Sequence, residues 1–372
     1  MRFIHCLLLL IVVTVSFSCQ SQEVEQGENK TSNEFARNFN ITNFDDYKIV
    51  EVNNLLDNSS DSYKYVLYRN EQPKEIENAI FIKLPIKSAA CLSTTHIAMM
   101  AELGAGEVIK GATNTNLIYN NSVTEQVKSQ AIKELGFEGS LNYESLLDLN
   151  PDIIFTYGLS DLSQVSKLKS LGLKPVVVAE FREKTPLARA EWIKFFAAFL
   201  EKESEATTTF SKVKTEYQSL SKEVAQIEKR PTVFTGVPFQ GVWYVPTGES
   251  YLAKYINDAG GDYLWKDSKG SLSLSLDLEA IFAKAQSAEK WLDVGFVFSK
   301  ADVEKSDKRM ANFEAFGAGE MYNYTERVNA NGGFDIYESA IVYPNIVLKD
   351  FVKILQPQLL PEHELYYYEQ MK

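Results

Sequence analysis

From Leu187 to Arg230 the chain contains neither glycine nor proline, and Pro231 closes the run. Within it Ala206, Phe210, Val213, Tyr217, Leu220, Val224 and Ile227 recur in alternating steps of four and three residues. That step keeps one apolar stripe on a single helix face, while Lys212, Lys214, Glu216, Lys222 and Glu223 take the opposite face. The spacing predicts a helix over 203–228, about 40 Å long at the usual rise per residue. One reading is a coiled-coil dimerisation helix. A zipper, however, normally sustains more heptads, with paired charges along the seam. Because the segments on either side echo each other, a strut joining two lobes is the preferred reading.

At 372 residues the chain exceeds what one core comfortably fills, which also points to two lobes. A net charge of -12 and the lack of a basic stripe argue against nucleic acid as a partner. The N-terminus reads as an export signal over 1–18: Arg2, an apolar run from Leu7 to Val15, then Ser16, Phe17 and Ser18 before Cys19. Cys19 after a small residue resembles a bacterial lipobox, although Ser16 stands where that pattern usually has Leu; a plain secretory signal is the alternative. The polar run after Cys19 reads as a tether. With Cys6 in the signal and Cys19 carrying lipid, Cys91 is left alone and no intrachain disulfide is expected. No later stretch is apolar enough to span a membrane.

Segments 47–52 and 63–68 alternate around turn formers and predict a small β-hairpin that, with the tether, fills 19–79. An N-terminal α/β lobe is expected over 80–185. Strands near 88–92, 108–111, 153–157 and 175–178 alternate there with helices capped by Ser93 to Thr95 and by Asn142. Residues 186–229 supply connecting helices, one of them over Leu187–Leu200. A C-terminal lobe over 230–345 repeats the grammar, with Ser250 and Asp277 as caps, and 346–372 forms a C-terminal helix and tail. Each lobe has a helix ending near paired glycines, then a capped helix opening on Glu144 or Glu279 that leads into an apolar strand. This is a divergent internal duplication. The expected fold is α/β: two lobes, each a largely parallel sheet flanked by helices, joined by one long helix.

Neither GxxxxGK[ST], GxSxG nor CxxC occurs. His5, His96 and His363 lie far apart, so a protein-built metal cage is not expected. No carboxylate pair is marked for catalysis.

Ser93-Thr94-Thr95-His96, Leu103-Gly104-Ala105-Gly106, Val108-Ile109-Lys110-Gly111, the block from Tyr143 to Phe155, Leu173–Val178 and Tyr251–Tyr263 resemble one family. It is that of the periplasmic substrate-binding proteins of iron-siderophore, haem and vitamin B12 ABC importers. The similarity covers roughly Ile80 to Leu355. The resemblance implies two lobes joined by a long helix, no catalysis, no cofactor, and cargo in the cleft between the lobes. An iron-siderophore or similar iron complex is the first expectation, and cobalamin or haem the second. It also implies Glu144 and Glu279 docking on arginines of the permease, which acts with its ATPase. A monomer, exported, lipid-anchored and facing the periplasm, is the expected form. Loops at the carboxyl ends of the strands should face the cleft. Thr95, His96, Tyr157, Arg189, Trp243, Tyr244 and Tyr337 are therefore the candidate ligand contacts, with Arg309 in a charged run a weaker one. Aromatic faces suit a bulky chelate and arginine its anionic groups. The rivals are a lipid-anchored hydrolase and a surface scaffold.

Overall fold

The computed structural model describes residues 29–31, 33–53, 62–74, 76–137, 139–158, 162–270 and 273–372. The signal segment and Cys19 lie outside the described residues.

The chain opens on a five-stranded sheet rather than a hairpin. Strands β1 (Asn29–Thr31), β2 (Phe39–Asn43), β3 (Tyr47–Val52), β4 (Tyr63–Tyr68) and β5 (Ala79–Lys83) lie in that order, antiparallel except for the β4–β5 pair. Phe39, Ile41, Val50 and Val52 alternate inward with the two-residue period of a strand.

The first lobe follows. It comprises β6 (Ala89–Cys91), α1 (Thr94–Glu102), β7 (Ile109–Ala112), α2 (Asn121–Lys128), β8 (Lys133–Glu134), a small hairpin of β9 (Gly136–Phe137) and β10 (Ser140–Leu141), α3 (Tyr143–Leu149), β11 (Ile153–Thr156), α4 (Ser163–Ser170) and β12 (Pro175–Val177). Its sheet is ordered β12-β11-β6-β7-β8 and every pair is parallel. Strands this short can be parallel because helices cover both faces. The caps read from sequence form: Asn142 Oδ1 accepts from Ser145 N at 2.9 Å, and the Ser93 side chain accepts from Thr95 N.

The connecting segment differs from expectation. A continuous helix over Leu187–Leu200 is predicted, but two form, α5 (Pro186–Ala190) and α6 (Ile193–Leu200). The break falls where Glu191 turns its carboxylate to the N-terminal strap, accepting from the N–H groups of Glu34, Phe35 and Ala36 at 2.9, 2.7 and 2.9 Å. Helix α6 is apolar around most of its girth and needs cover on more than one side. Phe196 packs on Phe155 at 4.5 Å between ring centres, while Trp192 meets Phe39 at 4.8 Å. The N-terminal sheet is that second cover, which is why the segment builds more than a hairpin.

Helix α7 (Glu203–Val224) carries the striped face, with Ala206, Phe210, Val213, Tyr217, Leu220 and Val224 buried. Ala206 and Phe210 belong to the first core, whereas Tyr217, Leu220 and Val224 belong to the second. Helix α6 and the later α12 cover this stripe within one chain. The lobes also meet elsewhere, since Ile341 and Val342 from the C-terminal region enter the first core.

The second lobe comprises β13 (Thr232–Thr235), β14 (Pro238–Phe239), β15 (Val242–Pro246), α8 (Tyr251–Asp258), β16 (Asp262–Tyr263), β17 (Ser273–Leu276), α9 (Leu278–Ala285), β18 (Lys290–Leu292), α10 (Lys300–Ser306), α11 (Glu314–Ala318), β19 (Met321–Asn323), α12 (Pro344–Leu355) and β20 (Glu369–Gln370). Its main sheet is ordered β16-β13-β18-β19-β20, parallel except for the last pair. Between β13 and α8 the chain contributes β14 and β15 to an antiparallel sheet with β17.

Candidate ligand cleft

Between the lobes lies a cavity of about 330 Å³. Its walls come from the positions that directly follow strands, where a parallel sheet presents its carboxyl ends. Ser93 and Thr95 follow β6, Tyr157 follows β11, and Glu180 lies three residues beyond β12. Asp293 follows β18, and Tyr324 follows β19. Helix α5 adds Arg189, helix α8 adds Tyr251 and Tyr255, and Tyr337 and Tyr368 complete the second-lobe wall.

Three charged groups face this space, Glu180, Arg189 and Asp293, and none forms an ion pair among the described residues. Glu180 is 5% exposed; its Oε1 accepts from the Thr95 hydroxyl at 2.8 Å, and its Oε2 is buried without a hydrogen-bond partner. The Arg189 guanidinium lies over the Tyr251 ring, 4.3 Å from its centre, and its Nε is buried with no acceptor. Arg189 does not pair with Glu183 or Glu191, because both carboxylates are spent on the N-terminal strap. Glu183 Oε1 accepts from the N–H groups of Arg37 and Asn38, each at 3.0 Å. Asp293 sits in the left-handed region at φ 47°, a conformation that an Asp tolerates and that re-aims its side chain. The Tyr368 hydroxyl donates to Asp293 Oδ1. Burial pushes the Asp293 carboxyl up to about 6, opposed by that hydrogen bond.

The tyrosines are held by the tail. Asp350 is fully buried and accepts from the N–H groups of Tyr366, Tyr367 and Tyr368 at 2.9, 2.7 and 3.3 Å, which fixes where the Tyr368 ring points. The rings of Tyr324 and Tyr337 meet edge to face at 5.4 Å, and those of Tyr324 and Tyr368 at 6.4 Å. Burial raises the hydroxyl pKa of all three, so they remain neutral and present ring faces.

Of the residues expected at the ligand, the structure brings Thr95, Tyr157, Arg189 and Tyr337 around one cavity. It puts three others elsewhere. His96 is 1% exposed, on the inward face of α1 against Phe155 and Phe196, and burial lowers its pKa to about 4. It is a core residue, because the helix turns the side chain after Thr95 away from the cleft. Trp243 is fully buried among Phe234, Trp291 and Phe313, donating Nε1–H to Thr235 O at 2.9 Å. On strand β15 its neighbour Tyr244 necessarily points the other way. Tyr244 is exposed and lines an adjoining groove that shares Phe181 and Tyr251 with the cleft. Arg309 lies outside the cleft, paired with Asp307 at 2.7 Å and Glu279 at 3.2 Å. Glu144 and Glu279 are both exposed in the first turns of α3 and α9. Among the described residues no group of His, Cys, Asp and Glu side chains converges as a metal site.

Sequence reasoning missed Glu180, Asp293, Tyr324 and Tyr368. Asp293 had a usable signal: β11 and β18 hold the same place in the two lobes, so the residue after each should face the same cleft. Tyr368 had none, since only the buried Asp350 brings the tail back to the site.

Residues 90–304, more than half of the chain, match the periplasmic binding protein family. The chain belongs to that family. An uncharacterized lipoprotein of Methanocaldococcus jannaschii is 25% identical over 302 residues, covering 78% of this chain and 70% of the relative. Among solved structures, a possible iron-binding periplasmic solute-binding protein from Staphylococcus epidermidis superposes with a TM-score of 0.56 at 18% identity, covering 73% of this chain and 98% of that one. A protein of an ABC-type Fe3+-hydroxamate transport system from Saccharomonospora viridis gives 0.55 at 16% identity, covering 73% and 93%. These superpositions establish a shared fold, with parallel sheets flanked by helices. Periplasmic binding proteins of this type bind small ligands and work with an ABC permease and its ATPase; family and fold are those of binding proteins rather than enzymes. A lipoprotein name in the relatives and a periplasmic family are consistent with an exported chain.

Proposed function

We propose that this periplasmic binding protein captures a compact metal chelate, an iron complex of the siderophore kind, and hands it to an ABC permease. The observation that carries the reading is the cleft: a half-open space of about 330 Å³ whose wall combines six tyrosines with a guanidinium whose Nε is buried without an acceptor among the described residues. Tyrosine faces suit the organic shell of a chelate, and a stacked arginine suits its anionic oxygens. The volume stands at the small end of ligand pockets, which run from about 300 to 1,000 Å³. It favours a compact chelate over cobalamin or haem. The structural neighbours include a possible iron-binding protein and an Fe3+-hydroxamate system, and also a vitamin B12 binding protein, so the cleft volume carries the choice between them.

Glu144 and Glu279 are the proposed permease contacts. Each occupies the first turn of the helix that leads into β11 or β18, exposed at a helix N-terminus whose dipole favours a carboxylate. In this reading Cys19 carries the lipid that holds the chain at the membrane. Titration calorimetry and thermal shift with ferric, cobalamin and haem ligands test the function. A ferric chelate should raise the melting temperature in step with ligand excess. Stabilisation by cobalamin or haem alone would replace the proposed cargo.

A further inference from the structure

The proposed chelate cargo leaves two features of the cleft without a role. Glu180 in the first lobe and Asp293 in the second are both carboxylates at the cavity wall, and neither meets a cation among the described residues. Set against the single Arg189, they leave the wall with an excess of negative charge. A buried carboxylate without a counter-ion is costly, and its retention at a cavity implies that the occupant supplies the positive charge. A bare metal ion does not fit that part, because no cluster of His, Cys, Asp and Glu side chains converges here among the described residues. The surroundings of Asp293 fit an organic cation instead. Tyr324, Tyr337 and Tyr368 are neutral rings at mutual distances of 5.4 and 6.4 Å, and the Tyr368 hydroxyl engages Asp293 Oδ1. Aromatic faces beside a carboxylate are what an alkylammonium group seeks.

Resting on the chelate reading above, we infer that the cargo bears an ammonium group seated at Asp293 within the tyrosine cage, with its anionic part toward Arg189. The cargo is then neutral or cationic overall. A polyanionic chelate, such as a tris-catecholate, would place like charge against both carboxylates, and that juxtaposition weakens binding.

The test is titration calorimetry on the mature chain with four probes. These are the ferric complex of a linear trihydroxamate ending in a free ammonium, the same complex with that amine acetylated, a trianionic ferric tris-catecholate, and a short aliphatic diamine without metal. The ammonium-bearing complex should bind about tenfold or more tighter than its acetylated twin, as a desolvated ammonium–carboxylate contact requires. Asp293→Asn, which is isosteric and keeps an acceptor for Tyr368, should bring that preference to within about threefold while leaving the acetylated complex little changed. The Glu180→Gln chain provides a second reading in case Asp293→Asn folds poorly, and the comparison of twins in the unmodified chain needs no variant. Equal binding of the twins, or tightest binding of the catecholate complex, overturns the inference while leaving the chelate reading in place. Binding of the diamine with no response to any ferric complex overturns the chelate reading and keeps the ammonium site. Silence from all four overturns both.

Discussion

The two lobes share one strand plan yet furnish the cleft in opposite ways. With the edge strands β8 and β20 set aside, the four remaining strands of each sheet, numbered by appearance, lie in the order 2-1-3-4 in both: β7-β6-β11-β12 and β16-β13-β18-β19. The likeness extends to a reciprocal bond at the foot of each sheet. Ser88 N donates to Asp152 Oδ2 at 3.0 Å and Asp152 N returns a bond to Ser88 Oγ at 3.0 Å. In the second lobe Thr232 and Glu289 exchange the same pair, each at 3.0 Å. At the other end of the strands the likeness stops. The first lobe offers hydroxyls and Glu180, and the second offers tyrosines and Asp293. Their edges differ too: β8 extends the first sheet in parallel beside β7, whereas the tail strand β20 closes the second antiparallel beside β19. Scaffold bonds at the foot of a sheet recur because each lobe must close its own core. Strand ends face a shared ligand from opposite sides, and they are free to diverge.

The hardest test of that division is at Trp243. As a core side chain of the second lobe, its replacement by Ala should cost about 3–5 kcal/mol in denaturant unfolding. Tyr244→Ala, one residue on and outward, should cost under about 0.5 kcal/mol. A small loss at Trp243 together with weakened ligand binding would return that ring to the site.

The next effect comes from the bond between the lobes. Glu338, 2% exposed in the second lobe, accepts from the first-lobe N–H groups of Tyr119 and Asn120 at 2.7 and 2.8 Å. Burial pushes its pKa up to about 7 from 4.5, against those two hydrogen bonds. The folded chain therefore holds this proton more tightly than the unfolded chain does. The stability it contributes is fully present below pH 4.5 and falls as pH rises toward 7, by up to about 3 kcal/mol. Thermal unfolding between pH 4.5 and 7.5 should decline more steeply in the parent than in Glu338→Gln; parallel curves would remove Glu338 as the source.

A smaller effect is expected at Arg189. Arg189→Met keeps the apolar stem that covers Tyr251 and should weaken a ferric chelate about tenfold with little change in melting temperature. Unchanged affinity would take Arg189 out of the ligand contacts.

The smallest effect on the molecule itself is expected at the paired glutamates. Glu144 and Glu279 replaced together by Ala should shift stability by under about 0.5 kcal/mol. Cargo affinity should be unchanged while uptake in reconstituted vesicles is lost. Because Arg309 engages Glu279, while Glu144 forms no ion pair among the described residues, the single change at Glu144 should reduce uptake more. Equal loss of affinity and uptake would refute docking.

Periodicity and capping residues, which act over a few positions of chain, carried most of the architecture. The stripe from Ala206 to Val224, the caps at Ser93, Asn142, Ser250 and Asp277, and the repeated helix-then-strand grammar are all legible from neighbours along the sequence. The same local grammar put Thr95, Tyr157, Arg189 and Tyr337 near strand ends or in turn-rich loops. It could not tell which face of α1 His96 would take, nor that Trp243 would join a strand and turn inward. Both outcomes depend on what packs opposite. Tertiary structure alone decided the N-terminal sheet, recruited to cover an aromatic helix more than a hundred residues away, and the charge of the cleft. Glu180, Asp293 and Tyr368 meet there only after both lobes and the tail have closed. The strength of a buried charge depends on its surroundings in space, which no stretch of sequence contains.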